Sequence, residues 1–221
     1  MAKKNKAILI GEVGEFLSES LFTLKIRKNP RKYIYPIIEL NPQVSDMKEF
    51  IKPGVLVMIE GKITTTQKEE IHKCPVCSEN ITDKYIFTTV TPQEIKVIKK
   101  SNKSDVFLNH VIILGAVCRD KTFVYTEGTR SPLGNTRYQV AINRGGQTGT
   151  DYPWVASYAR QAEEDAKRIQ KGSQVFIDGI LVTRKNIKIC VCEKCNTKVE
   201  FTEYLSEITA VSVEYLNNCI F

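Results

Sequence analysis

KPGVLVMIEGKITTTQKEEIHKCPVC (52–77) and KGSQVFIDGILVTRKNIKICVCEKC (171–195) lie on one another when Gly61 is set over Gly179. Each opens with a Lys and a Gly, runs through a strand-like stretch to an acidic residue, and reaches a second Gly. From that second Gly to the first Cys of a CxxC pair is 13 residues in both. Two residues before that Cys stands His72 in one segment and Cys190 in the other, each preceded by Ile. The likeness extends outward: AILIGEV (7–13) parallels VIILGAV (111–117), and EIKVI (94–98) parallels AVSVEYL (210–216). A repeat of this length is a duplicated domain, not a solenoid, whose periods run about 20–50 residues. The polar stretch KKSNKSD (99–105) reads as the linker, placing the domains at 1–100 and 105–221.

Within each copy the pattern is mostly strand. In the second, strands rich in β-branched and aromatic residues fit 109–118, 136–144, 152–158, 174–182 and 207–216. Ala159, Ala162, Ala166 and Ile169 recur at helical spacing, and Gly172 follows, which predicts one helix over Tyr158–Gln170. Five strands with a helix between the third and fourth is the layout of an OB-fold, a small Greek-key barrel. The first copy keeps a shorter helix, at Asp46–Ile51 with Ser45 as N-cap. The expected fold is therefore all-β with short helices: two tandem OB-fold barrels carrying zinc-ribbon-like CxxC hairpins.

Composition narrows the class. The 221 residues are 42% hydrophobic and 26% charged, enough for two packed cores. No apolar run approaches the roughly 20 residues of a membrane span, and MAKKNKAILIGEVGE at the start lacks the features of a secretory leader. A cytoplasmic protein without a membrane partner is expected. The net charge of +7 favours a polyanionic partner. Residues 1–100 carry 17 basic against 12 acidic side chains, so most of the excess lies in the first copy.

Seven cysteines without a secretion signal point to metal chemistry, not disulfides. A CxxC turn brings two thiolates to one ion, and zinc takes four such ligands. Two arrangements compete. Cys74, Cys77, Cys192 and Cys195 close a single site joining the copies, or each copy builds its own from His72, Cys74 and Cys77 and from Cys190, Cys192 and Cys195. Separate sites need a fourth ligand, for which Asp83 and Glu200 are the nearest carboxylates; the shared site is slightly favoured. A redox CxxC belongs at a helix N-terminus, whereas both motifs here follow strands. Cys118 reads as core and Cys219 as uninformative. With two histidines, His72 and His110, and no GxSxG, Walker or HExxH pattern, an enzyme is not expected.

The second copy resembles the bacterial and phage single-stranded DNA-binding protein family. NHVIILG (109–115) is similar to the family's opening strand, TDYPWVASYARQAE (150–163) to its third strand and helix, and KGSQVFIDGIL (171–181) to its most recognisable stretch. The resemblance spans about 109–216 and implies an OB-fold and stacking aromatics at Tyr152 and Tyr158. Two further aromatic positions of the family do not match, falling here at about Gly146 and Asn186. The family ends in an acidic tail with an apolar tip; EYLNNCIF (214–221) has the tip without the acidic run.

Such a barrel binds a strand by stacking bases on rings while cations follow the phosphates, each stacked base contributing about 1–3 kcal/mol. Tyr152, Trp154 and Tyr158 share one face of the third strand by its period of two, forming either a stacking platform or a core layer. Pro153 suggests an edge strand. Arg137 and Arg144 flank the platform, and the hairpin KTFVYTEGTRSPLGNTRY (121–138) adds Phe123, Tyr125 and Arg130. In the first copy LKIRKNPRKYIY (24–35) supplies Lys25, Arg27, Lys28, Arg31 and Lys32 with Tyr33 and Tyr35, the densest basic patch in the chain. The expectation is a zinc-stabilised, sequence-nonspecific binder of single-stranded DNA serving replication or recombination. Fewer chains than in the family oligomer would assemble, since one chain holds two barrels. The alternative is an OB and zinc-ribbon module that binds protein or RNA within a replication or transfer complex.

Overall fold

The computed structural model describes residues 4–42, 44, 49–99, 106–126, 133–144 and 149–220. The first copy supplies β1 (Asn5–Phe16), β2 (Leu21–Asn29), β3 (Lys32–Ile34), β4 (Ile37–Glu39), β5 (Leu56–Lys73) and β6 (Asn80–Val97). The second supplies β7 (Leu108–Val117), β8 (Thr122–Thr126), β9 (Leu133–Asn143), β10 (Thr150–Asp151), β11 (Trp154–Tyr158), α1 (Ala159–Arg168), β12 (Gln174–Val191) and β13 (Lys198–Tyr215). In the first half β1, β5, β6, β4 and β2 neighbour one another, and β2 pairs back onto β1. In the second, β7, β12, β13, β11 and β9 do the same, with β9 returning to β7. Each half is thus a closed five-stranded barrel, as the repeat implied. The barrels are continuous through β1 and β7, which pair antiparallel with Asn5 opposite Ile113 and Leu9 opposite Asn109.

The strands alternate because one face is buried. Ala7, Leu9, Val111, Ile113, Ile59 and Ile177 are all fully inaccessible, and each buried Ile or Leu contributes about 1.5–3 kcal/mol. The glycines that anchored the alignment have a steric cause. Pairing slips by one residue at Glu60/Gly61 and at Asp178/Gly179, and a bulge there brings the opposite backbone close. A Cβ would lie 2.4 Å from the Thr91 carbonyl oxygen at Gly61 and 2.6 Å from that of Thr209 at Gly179. Asparagines repeat the symmetry. The Asn5 side chain donates to the Ile63 carbonyl and accepts from the Ile63 amide, both at 2.8 Å. Asn109 does the same with Leu181 at 2.8 and 2.9 Å.

Three expectations are corrected. The strand expected at 174–182 and its partner at 207–216 extend to 18 residues each, as do β5 and β6. The extra length projects from the barrels as two-stranded arms, whose Lys- and Glu-rich sequence hides the strand pattern. Cross-strand pairs such as Lys84 with Glu69 (3.1 Å) hold them. Second, β11 is no edge strand. It pairs with β9 on one side and β13 on the other, and Pro153 is tolerated because it precedes the first paired residue. Third, α1 is shorter than 158–170, and Ile169 has already left helical geometry. In the first copy Glu49 and Phe50 form a turn, while Ser45, Asp46 and the linker residues 100–105 lie outside the described residues.

Gly179→Ala is expected to destabilise the protein by about 1–3 kcal/mol, read as a lower denaturant midpoint at unchanged slope.

Candidate nucleic-acid interface and thiol cluster

The β5–β6 and β12–β13 arms lean together. The His72 ring stacks on Phe201 with centroids 3.9 Å apart, Lys188 pairs with the buried Asp83, and Lys194 reaches Glu79 at 3.4 Å. Their tips are two copies of one turn. Cys74 N–H donates to Glu79 and Ser78 N–H to Cys74; Cys192 N–H donates to Thr197 and Asn196 N–H to Cys192. Ser78 and Asn196 take the same left-handed conformation, with φ of 58° and 55°. Facing each other, the tips bring Cys74, Cys77, Cys192 and Cys195 together with all sulfurs within 4.8 Å. Cys74 and Cys195 lie 3.5 Å apart, as do Cys77 and Cys192.

Four thiolates held at about 2.3 Å by one ion would sit about 3.8 Å apart, so the donor set fits a tetrahedral, sulfur-binding metal ion. The thiols differ. Thr197, 3.1 Å from the Cys195 sulfur, draws that thiol down to about 6. Cys77 receives a lowering backbone hydrogen bond at Glu79, yet desolvation and its neighbouring thiols push it up to about 12. The Cys195 thiolate is therefore the more accessible of these two near neutrality.

The two separate sites are not formed. His72 and Cys190 stand outside the cluster, because two residues back along a strand is about 6.6 Å from the cysteine. The opposite arm completes the set instead. Asp83, considered as a fourth ligand, is committed to Lys188.

On the second barrel β11 presents its rings outward. Val155, Ala156 and Ser157 are buried, whereas Trp154 and Tyr158 are half-buried and Tyr152 is 41% exposed. They are a surface platform, not a core layer. The Arg137 guanidinium lies 4.4 Å over the Trp154 ring. Arg184 donates to the Tyr158 hydroxyl at 2.8 Å, and Glu207 pairs with Arg184 at 2.6 Å and Arg137 at 3.6 Å. Arg137, Tyr158, Arg184 and Glu207, with Asn135, Lys185 and Asn186, line a cleft of about 310 Å³. Arg184, Lys185 and Asn135 were not expected from sequence; for Arg184 and Lys185 a basic pair just beyond a strand of the repeat was the available signal.

The other expected residues separate into groups. Lys28, Arg31 and Lys32 are exposed around the β2–β3 turn. Lys25 sits 4.5 Å over the Tyr33 ring and 3.9 Å from Glu12, Arg27 lies half-buried beside them, and Tyr35 is exposed. Phe123 and Tyr125 meet edge to face at 5.0 Å. Arg130 and Gly146 lie outside the described residues. Arg144 differs from the rest: it grips the buried Asp151 at 2.7 and 3.0 Å and donates to the Thr65 carbonyl at 3.0 Å. It fastens the second barrel to the arm of the first, and its charge is already compensated.

Residues 108–212 match the model of the Single-strand binding protein family. The matched stretch is 105 of the 221 residues and coincides with the second barrel. A single-stranded DNA-binding protein of Clostridium tetani is 26% identical over 113 residues, covering 49% of this chain and 70% of the relative. One of Oceanobacillus iheyensis is 30% identical over 114 residues, covering 49% and 63%. The whole chain superposes on the wild-type single-stranded DNA-binding protein of Thermus aquaticus with a TM-score of 0.66 and 17% identity, covering 99% of this chain and 95% of that one. A deletion mutant of that protein gives 0.67 at 18% identity. At such identity the likeness is one of fold, and it takes in both barrels.

Asp151→Ala removes the carboxylate that compensates Arg144 and accepts from the Thr65 amide at 2.7 Å. A loss of about 3 kcal/mol in unfolding free energy is expected, measured by chemical denaturation.

Proposed function

We propose that this chain is a sequence-nonspecific single-stranded DNA-binding protein. Its two units, 1–100 and 105–221, hold strands open for replication or recombination, and one zinc ion joins their arms. The observation that carries the reading is the outward-facing platform of Trp154 and Tyr158 with Arg137 and Arg184 beside the rings. Flat faces take bases of any identity, and guanidinium groups take phosphates without reading sequence. Tyr152 extends the platform. Phe123 and Tyr125 offer a second pair of rings, and Lys28, Arg31, Lys32 and Tyr33 supply a basic surface on the other barrel. Glu207 holds the two arginines in place until phosphate competes for them.

Zinc suits the arm tips because the four donors gathered there are all sulfur, which favours a soft, tetrahedral ion. The ion would act as a staple, since its ligands come equally from both copies. Four reduced thiols of this kind belong in a reducing compartment such as the cytoplasm. Association with further copies, replication proteins or RNA is compatible with the same surfaces.

Oligo-dT is expected to quench Trp154 fluorescence, with binding weakened by salt at about 0.7 log unit of affinity per log unit of salt for each phosphate neutralised. Arg137→Ala should lower that slope by one such step. Absence of binding up to high micromolar oligonucleotide would overturn the reading. Zinc analysis after dialysis is expected to return one ion per chain and none for Cys192→Ser, with a lower melting temperature in the variant. Two ions per chain, or none in the wild type, would contradict the staple.

A further inference from the structure

Each barrel meets the arm of the other copy once, so the same junction is built twice. The register of β4 on β6 (Ile38 opposite Val90) and of β11 on β13 (Val155 opposite Ile208) makes Tyr35-Pro36 the counterpart of Tyr152-Pro153. The common spacing from Gly61 and Gly179 makes Thr65 the counterpart of Thr183. At the junction of the second barrel with the first arm the space is shut. The Tyr152 amide donates to the Thr65 hydroxyl at 2.8 Å, and Asp151 with Arg144 seals both sides of the Thr65 backbone.

The other junction is open. Ile34 stands where Asp151 stands in the second copy, so that position offers no carboxylate to the backbone of the arm. A cavity of about 290 Å³ remains between Glu15, Lys25 and Tyr35 of the first barrel and Thr183, Lys185 and Tyr204 of the second arm, its one carboxylate offset by the two lysines. Lys185 and Tyr204 face each other across the ribbon, whereas the shut junction has Gln67 opposite Ile86 at those places. The open junction therefore holds a cation and an aromatic ring exactly where its counterpart holds neither. Lys185 also lines the cleft of Trp154's barrel, which lies on the opposite face of the same ribbon.

We infer that a single strand leaves the Tyr158–Arg184 cleft, turns around the edge of the second arm at Lys185, and enters the open junction, where Tyr204 and Tyr35 take bases and Lys25 a phosphate. The inference rests on the single-strand binding reading and adds a path to it: the two barrels are joined on one side only, by residues of the second arm. The shut junction carries no strand. Because the first-barrel subsite is completed by Tyr204 and Lys185, the first copy alone does not contain it.

The test uses the full chain and oligo-dT of about 8 and about 30 nucleotides, lengths that bracket one and two OB sites. Trp154 quenching reports the short oligonucleotide, and anisotropy of a 5′-labelled dT reports the long one. Wild type is expected to bind the long strand more tightly. Tyr204→Ala should weaken the long strand about tenfold and change the short one less than twofold. Lys185→Glu, an exposed substitution that spares the fold, should also cost more on the long strand than on the short, and Lys25→Ala should lower the salt slope by about 0.7 on the long strand alone. Equal loss at both lengths, no loss at either, or no gain with length in the wild type would overturn the path while leaving single-strand binding intact. Failure of the wild type to bind either oligonucleotide would instead overturn the functional reading, and the path with it.

Discussion

The antiparallel pairing of β1 with β7 is the constraint from which the architecture follows. Two barrels joined edge to edge through equivalent antiparallel strands are related by a local two-fold axis, so that β1 faces β7 and the arm tips face each other. The pairing turns both long arms to the same side, where their tips meet and His72 can stack on Phe201. It also removes two exposed strand edges that would otherwise invite pairing with other chains. A four-thiol site assembled half from each copy is a direct consequence, because each tip alone offers only two sulfurs.

Duplication within one chain permits what identical subunits cannot: the halves can diverge. The first copy has gathered most of the net positive charge around the β2–β3 turn. The second has kept the ring platform on β11 and an ordered helix beneath it, where Asp165 is buried and accepts from the Tyr215 hydroxyl at 2.6 Å. The two barrel–arm junctions have separated further, one closed by Asp151, Arg144 and Thr65, the other left open beside Ile34. Asymmetry of this kind gives direction to a surface that the two-fold axis would otherwise make equivalent.

The barrels were legible in the sequence because their cause is short-range and periodic. Alternation revealed the strands, and Gly61 and Gly179 marked the bulges, since no side chain fits beside the Thr91 and Thr209 carbonyls. The CxxC pairs exposed the thiol cluster, but whether they closed one site or two depended on how the arms meet. No local pattern holds that information. The CxxC hairpins were expected, but the strand bounds stopped at Val182: Arg184, Lys185 and Lys188 interrupt the apolar alternation, and their strand geometry is imposed by the partner strand and the neighbouring arm. Arg144 was read as a phosphate contact because its partners, Asp151 and Thr65, come together only in three dimensions. Pro153 suggested an edge because sequence cannot say that pairing starts one residue later. Tyr35-Pro36 and Tyr152-Pro153 were visible as words but not as a repeat, since insertions between strands shift their spacing.

Mass-spectrometric footprinting of lysines and arginines on the full chain, free and saturated with a long oligo-dT, tests most directly whether the seam makes one binding face from two barrels. The account predicts protection of Arg137, Arg184, Lys185 and Lys25 together in a one-to-one complex, with Arg144 unchanged because Asp151 already shields it. Protection confined to residues of a single barrel, or spread evenly over both junctions, would contradict it.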